Sequence, residues 1–559
     1  MNSTDYPIIN AIATSFFSNG ESSILLVLQL LPLFGAALLL LTPSWKVGLI
    51  RLIALNVSLV TFLLSLILWI LFDPLSADFQ FRYLIGTGLA MGSSHYINNI
   101  ATTSGSLDEI VTIDSQTTFN LFGGKDHIID FVGNLFNFSF SFGVDGISLW
   151  LLLLTTFLTP ICILVGWSLP ASLEIRGPQY LKMYNLIFLI LESILLVVFS
   201  VRDLLVFYIF FEAVLIPMFL LVGLFGSQPR NIRAAYKMFL YTLAGSLPML
   251  VGILLIYFQC GSTDWSILST TYFSPARQLV LWCLFFISFA VKAPLVPFHG
   301  WLPETHSNAP TAGSIVLAGI LLKLGTYGFL RWSVTLFPLA SIYFAPIVYI
   351  ICLIGIVYVS LITMRQIDVK KLIAYSSVAH MGLCLLGMFA FNFQGIEGSL
   401  LMMVAHGIVS PGLFLCIGIL YDRYKTRVIL YYGGLAQTMP ILATAMLILT
   451  MGNISLPILS PSFAAEFLIF TGIFLVNRLV ALIAITTMVL TAAYSLFLFS
   501  RVFFGNLKTV YISKFSDVSR REFFCLLPFL AFSILIGVMP SLILDTCHVS
   551  IAYILISYN

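Results

Sequence analysis

Apolar residues run in blocks of about 20 along nearly the whole chain, separated by short polar stretches. Blocks of that length match an α-helix crossing the roughly 30 Å apolar layer of a bilayer. They are continuous rather than alternating, which excludes a β-barrel. Fourteen spans follow: 23–42, 49–72, 145–167, 181–200, 203–226, 234–257, 278–301, 311–333, 341–364, 369–391, 397–424, 438–474, 477–504 and 523–545. The pattern predicts an all-α polytopic membrane protein with about 14 transmembrane helices. Two spans are irregular. Span 7 ends in Pro294 and Pro297 directly after Lys292, and span 12 is too long for one straight crossing and holds Gly452, Pro457 and Pro461. Proline removes a backbone donor and clashes with the preceding turn, so both are read as broken helices.

The charges test the count. Taken with their boundaries, the loops after spans 1, 3, 5, 9, 11 and 13 hold seventeen of the 26 Lys and Arg residues. The loops after even spans hold six, and Lys237, Lys292 and Lys323 lie inside spans. Such parity places the basic loops on the inner side, in the matrix or cytoplasm, with both termini on the outer side. The N-terminal MNSTDYPIIN is neither basic nor followed by a short apolar core, so no cleaved leader is expected.

The same pattern divides the chain. Residues 1–73 hold two N-terminal helices, 74–144 a polar outer-side insertion, and 145–180 the third helix with its loop. Residues 181–333 and 341–504 form two inverted five-helix repeats, each with a broken helix as its fourth member. Residues 505–559 hold a loop, helix 14 and a tail. Glu212 and His380, and likewise Lys292 and Glu466, recur at similar offsets between the repeats. The GTGLAMG string at 86–92 lacks the strand–helix setting of a nucleotide loop and is read as surface insertion.

Composition narrows the chemistry. Only 9% of residues are charged, against roughly 25% in soluble domains. The eight cysteines form no CxxC pair, which argues against iron–sulfur or zinc ligation. No haem, flavin, nicotinamide or P-loop motif occurs. The intramembrane ionisable set is Glu192, Glu212, Lys237, Lys292, Lys323, His380, His406 and Glu466. Lys237 lies four residues from Arg233 and can snorkel to the interface. Glu192 can pair statically with a neighbour, and His380 and His406 can be satisfied core groups. Glu212, Lys292, Lys323 and Glu466 resist such readings, because a charge at bilayer depth costs roughly 2.5–3.5 kcal/mol or more. Burial and neighbouring charges move the proton affinities of Glu and Lys in opposite directions, and His titrates near neutrality. Together these groups suit a proton path running along the membrane plane. The loop after span 7, with Glu304 and His306 and no Lys or Arg, is the expected inner-side mouth.

Four strings are similar to a known family: DLLVFYIFFEAVLIPMFLLVGLFG, FAVKAPLVPFHGWLPETHSNAPTAGSIVLAGILLKLGTYG, KKLIAYSSVAHMG and AHGIVSPGLFLCIGILYDR. They resemble the antiporter-like membrane subunits of NADH:ubiquinone oxidoreductase, respiratory complex I, over roughly residues 145–505. The insertion at 74–144 departs from the family's compact form. The resemblance implies a proton-translocating subunit of the mitochondrial inner membrane. Glu212 and Lys292 match the family's glutamate–lysine pair, Lys323 its bridging lysine, and Glu466 the acid of the second broken helix. His299, His306, His380 and His406 fall on family histidines, with Lys237 as a further match; Glu192 is a candidate from its mid-span position alone. NADH, FMN, iron–sulfur clusters and ubiquinone would be handled by partner subunits, leaving no cofactor in this chain. Its partners would be other membrane-arm subunits, including neighbouring antiporter-like ones, and lipids, with no nucleic acid. A subunit of a multi-subunit Na⁺/H⁺ antiporter is the alternative.

Overall fold

Prolines and polar joints set the element boundaries. The computed structural model describes residues 21–85, 140–167, 177–226, 229–457, 460–508, 516–556 and 558. The GTGLAMG string and the N-terminal MNSTDYPIIN lie outside the described residues.

The helices are α1 (Glu21–Leu41), α2 (Val47–Leu71), α3 (Gly146–Val165), α4 (Pro178–Ser200), α5 (Leu204–Phe225), α6 (Asn231–Cys260), α7a (Pro275–Lys292), α7b (Trp301–Asn308) and α8 (Thr311–Val334). They continue with α9 (Pro338–Met364), α10 (Val369–Met388), α11 (Phe393–Tyr424), α12a (Pro440–Asn453), α12b (Pro461–Val476), α13 (Arg478–Phe503), α14 (Arg520–Val538) and α15 (Ser541–Ile556). Thirteen of the described helices are long and apolar enough to cross a membrane, and α12a with α12b supplies a fourteenth crossing as a broken pair. Both expected breaks are present. Pro294 and Pro297 stop α7a, and the chain resumes one short 3₁₀ turn later as α7b. Span 12 parts between Asn453 and Pro461, with Ser455 at φ +66°, a left-handed conformation that non-glycine residues adopt with strain.

Three expectations are corrected. Span 14 does not run to residue 545. It stops at Val538, because Pro540 cannot continue the helix, and α15 follows as a separate element. The insertion is not wholly loop. Its ends, β1 (Gln80–Ile85) and β2 (Phe140–Val144), pair antiparallel, with Tyr83 stacked on Phe142 at 4.7 Å. The polar–apolar alternation of QFRYLI is strand-like. His306 is not in a loop but on α7b, fully buried.

The inner helices carry the candidate residues. α8 and α11 are buried over their entire spanning windows, whereas α2 and α14 are mostly open at their surfaces. α11 is central and packs on α12b, α10, α8, α3, α14 and α15. Small residues allow the close crossings. A Cβ on Gly325 of α8 would sit 2.6 Å from the Ala293 nitrogen at the α7 break. One on Gly398 of α11 would sit 2.8 Å from the Ile469 nitrogen of α12b.

A static ion pair locks one end of the bundle. Arg331, at the close of α8, donates to Asp145 at 2.8 Å, both nearly sealed from solvent. Phe79 and Trp265 rings flank the guanidinium. Asp145 also caps α3, accepting from the Ser148 amide at 3.0 Å. Asp145→Ala is expected to destabilise the fold by about 3–5 kcal/mol through the orphaned cation, with about 1 more from the lost cap. Asp78→Ala, which breaks an exposed pair with Arg82, is expected to cost at most about 1 kcal/mol. Thermal unfolding in detergent compares the two, and equal midpoints would contradict the assignment.

Candidate proton-transfer site

Each key side chain stands beside an interruption in a helix. α5 is broken at Val214, between segments Leu204–Ala213 and Leu215–Phe225. Pro217 lacks the N–H that would serve the carbonyl four residues back and crowds that turn. Glu212 and the Phe211 carbonyl lie just before the break. Lys292, the last residue of α7a, donates to that carbonyl at 3.0 Å, and its ammonium rests 3.9 Å above the Phe211 ring. Glu212 is half-buried, and the Ser246 hydroxyl acts on its carboxylate. Lys292 is the cation acting on it, but the two do not touch within 4 Å. The expected glutamate–lysine pair is therefore coupled through space rather than joined. Trp301 of α7b donates its indole N–H to the Val291 carbonyl at 3.0 Å, satisfying a group that the α7 break releases.

α8 changes winding twice. Leu317–Leu321 and Phe329–Val334 are π-helical, on either side of Lys323. Wider turns of this kind free carbonyls and often mark functional positions. Lys323 is wholly buried and bends back to donate to the Ala318 carbonyl at 2.6 Å. Its Nζ also lies 2.7 Å from His406 Nδ1 on α11. A cavity of about 10 Å³ separates Lys292 from Leu317 and Leu321 of the first π segment, space for about one water.

From His406 the polar line continues into the second half of the chain. The His406 and His380 rings are 5.8 Å apart. His380 Nε2 contacts Asn453 Oδ1 at 3.1 Å, and its Nδ1 lies 3.7 Å from Glu466 Oε1. An amide oxygen accepts only, so with it at Nε2 that nitrogen is the donor, and Nδ1 faces Glu466. Glu466 is buried, and the Ser455 hydroxyl at the break also acts on its carboxylate. The break in span 12 places Asn453, the last residue of α12a, and Glu466 of α12b against the same histidine.

The remaining candidates divide. His306 stacks flat on Phe414 at 4.6 Å, with neither ring nitrogen hydrogen-bonded, and lies in the field of Lys323 and Lys370. His299 is half-buried at the α7 break, 6.4 Å from the Tyr375 ring. Lys237 is off the buried line and pairs with Glu304 at 2.8 Å, both partly open to solvent. Glu192 is also apart, sealed among the N-terminal helices and accepting from Thr61 at 2.7 Å. Among the described residues no carboxylate lies within 4 Å of Lys292 or Lys323, and no His, Cys, Asp and Glu group could hold a metal.

Two residues that the structure brings to this site escaped the sequence reading. Asn453 is not ionisable, and only its place beside Gly452 at a break could have marked it. Lys370 was counted with the basic loop beside Lys371, yet it is buried.

Residues 201–491 match the family model described as NADH:quinone oxidoreductase/Mrp antiporter, TM. The chain is 53% identical over 525 residues to NADH-ubiquinone oxidoreductase chain 4 of Prototheca wickerhamii, covering 94% of this chain and 93% of that one. It is 50% identical over 541 residues to the Marchantia polymorpha chain of the same name, covering 97% and 98%. It resembles a chain of respiratory complex I from Thermus thermophilus with bound NADH, at 28% identity and a TM-score of 0.76, covering 95% and 99%. A chain of the Mrp complex from Dietzia sp. DQ12-45-1b shares the fold, at 18% identity and a TM-score of 0.74, covering 96% and 98%. Half of the aligned residues are identical across nearly the whole length, and the interrupted helices fall within the matched region; the chain belongs to the NADH-ubiquinone oxidoreductase chain 4 family.

Proposed function

We propose that this subunit carries protons along a buried line from Glu212 and Lys292, through Lys323, His406 and His380, to Glu466. The observation that carries this reading is the Lys323 Nζ–His406 Nδ1 contact at 2.7 Å. It joins the two halves of the chain through a donor and an acceptor that can exchange their roles. Protonated Lys323 gives its proton to Nδ1 of His406, whose Nε2, free of other partners, then faces the next transfer. The 5.8 Å between the histidine rings suits one bridging water. His380, held by Asn453, hands on to Glu466. Each transfer moves one proton and one positive charge.

Coupling is electrostatic in this reading. One unit charge acting over about 8 Å at an effective dielectric near 20 is worth about 2 kcal/mol, enough to change a proton equilibrium by about thirtyfold. A shift of charge near Glu212 is therefore sufficient to release a proton further along. NADH oxidation and ubiquinone reduction, with their FMN and iron–sulfur clusters, belong to partner subunits of the complex. Neighbouring antiporter-like subunits and lipids cover the open faces of the outer helices. The two broken helices belong to two inverted five-helix repeats. The basic loops face the mitochondrial matrix and both termini the intermembrane space, as the charge parity favours.

Lys323→Met, which keeps the side chain's volume, is expected to lower NADH-driven proton uptake at least fivefold while the complex assembles. Glu466→Gln is expected to do the same. Lys237→Gln, at a partly exposed pair, is expected to change uptake less than twofold. Proton-to-electron stoichiometry in proteoliposomes checks all three, and unchanged stoichiometry in Lys323→Met would sink the path. A Na⁺/H⁺ antiporter subunit would instead drive sodium-dependent proton movement without NADH. Uptake that needs NADH and is indifferent to replacing sodium with potassium is the expected outcome.

A further inference from the structure

A charged cleft of about 630 Å³ opens between α6, α7b and the start of α10, lined among others by Lys237, Glu304, Ser307, Asn308, Asp368 and Lys371. It lies at the end of the bundle that carries the basic loops. Two buried titratable groups stand directly behind its wall. Ser307 follows His306, and Lys370 lies between Asp368 and Lys371 in the sequence. Successive helical side chains point about 100° apart. Lys371 therefore lines the cleft while Lys370, 1% exposed, turns into the bundle. There its Nζ donates to the Ala309 carbonyl at 3.0 Å and to Ser314 Oγ at 3.3 Å. Ser314 in turn donates to the His306 carbonyl at 3.3 Å. His306 is wholly buried, its two ring nitrogens are without hydrogen bonds, and it feels the charges of both Lys370 and Lys323.

The distance to Lys323 is shorter than the sequence suggests. Ser314 and Lys323 are nine positions apart on α8, about 13 Å at 1.5 Å per residue. Because Lys323 bends back to Ala318, its ammonium lies only about four residues, or about 6 Å, from the level of Ser314.

We infer that Lys370 is the intake residue of the proton line: it takes protons from water in this cleft and passes them through His306 to Lys323. The inference rests on the path proposed through Lys323 and adds the point at which that path is loaded. The neutral Lys370 amine takes a proton from cleft water. The resulting ammonium gives it to the His306 imidazole across intervening water, since neither ring nitrogen has a direct partner and Ser314 meets only the His306 carbonyl. The imidazolium gives it to neutral Lys323. One proton moves at each step and no electrons. The charges facing Lys370 are Asp368, Asp422 and Arg427. Asp368 also accepts the Lys370 backbone N–H at 2.9 Å, which fixes the start of α10 at the cleft wall. His306 is then an inner relay and Glu304 a cleft-wall residue, in place of a shared loop at the mouth.

A structural role is the competing explanation, since Lys370 satisfies a carbonyl at the joint between α7b and α8. Arginine separates the two. It keeps the charge and the donors but does not give up its proton, whereas methionine loses all of them. The intact complex carrying Lys370→Arg, Lys370→Met, His306→Asn or Lys323→Met is reconstituted in proteoliposomes. Assembly, NADH oxidation and protons moved per NADH are measured. Lys370→Arg is expected to assemble and to lose pumping at least fivefold, matching Lys323→Met. Normal pumping by Lys370→Arg with failure of Lys370→Met overturns the inference in favour of the structural role. If Lys370→Arg does not assemble, His306→Asn decides: a fivefold loss supports the intake route and normal stoichiometry overturns it. Normal pumping by Lys323→Met means that the path itself has failed. Loss in Lys323→Met with none in Lys370→Arg means that the intake alone is misplaced.

Discussion

The structure depends on how a hydrocarbon layer treats an unpaired backbone carbonyl. Inside a bilayer no solvent satisfies it, and each orphan costs several kcal/mol. This chain interrupts its helices repeatedly and sets lysines on carbonyls beside the interruptions. Lys292 takes Phe211 at the α5 break, Lys323 takes Ala318 in a π segment, and Lys370 takes Ala309 between α7b and α8. Each lysine that is costly to bury stands beside a backbone that would be costly to leave unpaired. The two penalties offset each other.

That arrangement differs in kind from the Arg331–Asp145 pair. There a guanidinium meets a carboxylate at 2.8 Å, and the contact is strong only while both are charged. Arginine stays charged at any working pH, so the pair is fixed and serves as a clamp. A lysine on a carbonyl is held by a dipole instead. Deprotonation weakens its hydrogen bond but leaves no unbalanced carboxylate behind. The through-space coupling of Glu212 to Lys292, with no contact between them, follows the same logic. A tight ion pair would hold the proton on the lysine, while a distant charge biases the equilibrium and leaves it movable.

Much of this was legible in the sequence where proline or a charge interrupts an apolar run. The fourteen crossings, both broken helices and the burial of Lys292, Lys323, His406 and Glu466 followed from that pattern. What escaped was set by side-chain direction and tertiary packing. Lys370 and Lys371 are adjacent letters, yet one faces water and the other the bundle core. His306 lies between Pro303 and Pro310 and read as loop, but Trp301 and Phe414 hold its segment as a buried helix. The last apolar run concealed the Met539–Pro540 joint, and α15 was lost in it. The two π segments of α8 leave no mark in composition, although the first of them holds the carbonyl that positions Lys323.

The two halves of the line differ in a way that bears on direction. On the proposed route the groups from Lys370 through His306 to Lys323 are bases, and each proton that arrives turns a neutral group into a cation. On the proposed path the line from His406 ends on Glu466, whose ionised form lowers the energy of a proton on His380 and whose protonated form removes that attraction. Asn453 makes this one-sided, because an accepting oxygen at His380 Nε2 leaves only Nδ1 to face the acid. The position of the second helix break therefore matters as much as the acid itself: it delivers Asn453 and Glu466 to opposite nitrogens of one ring.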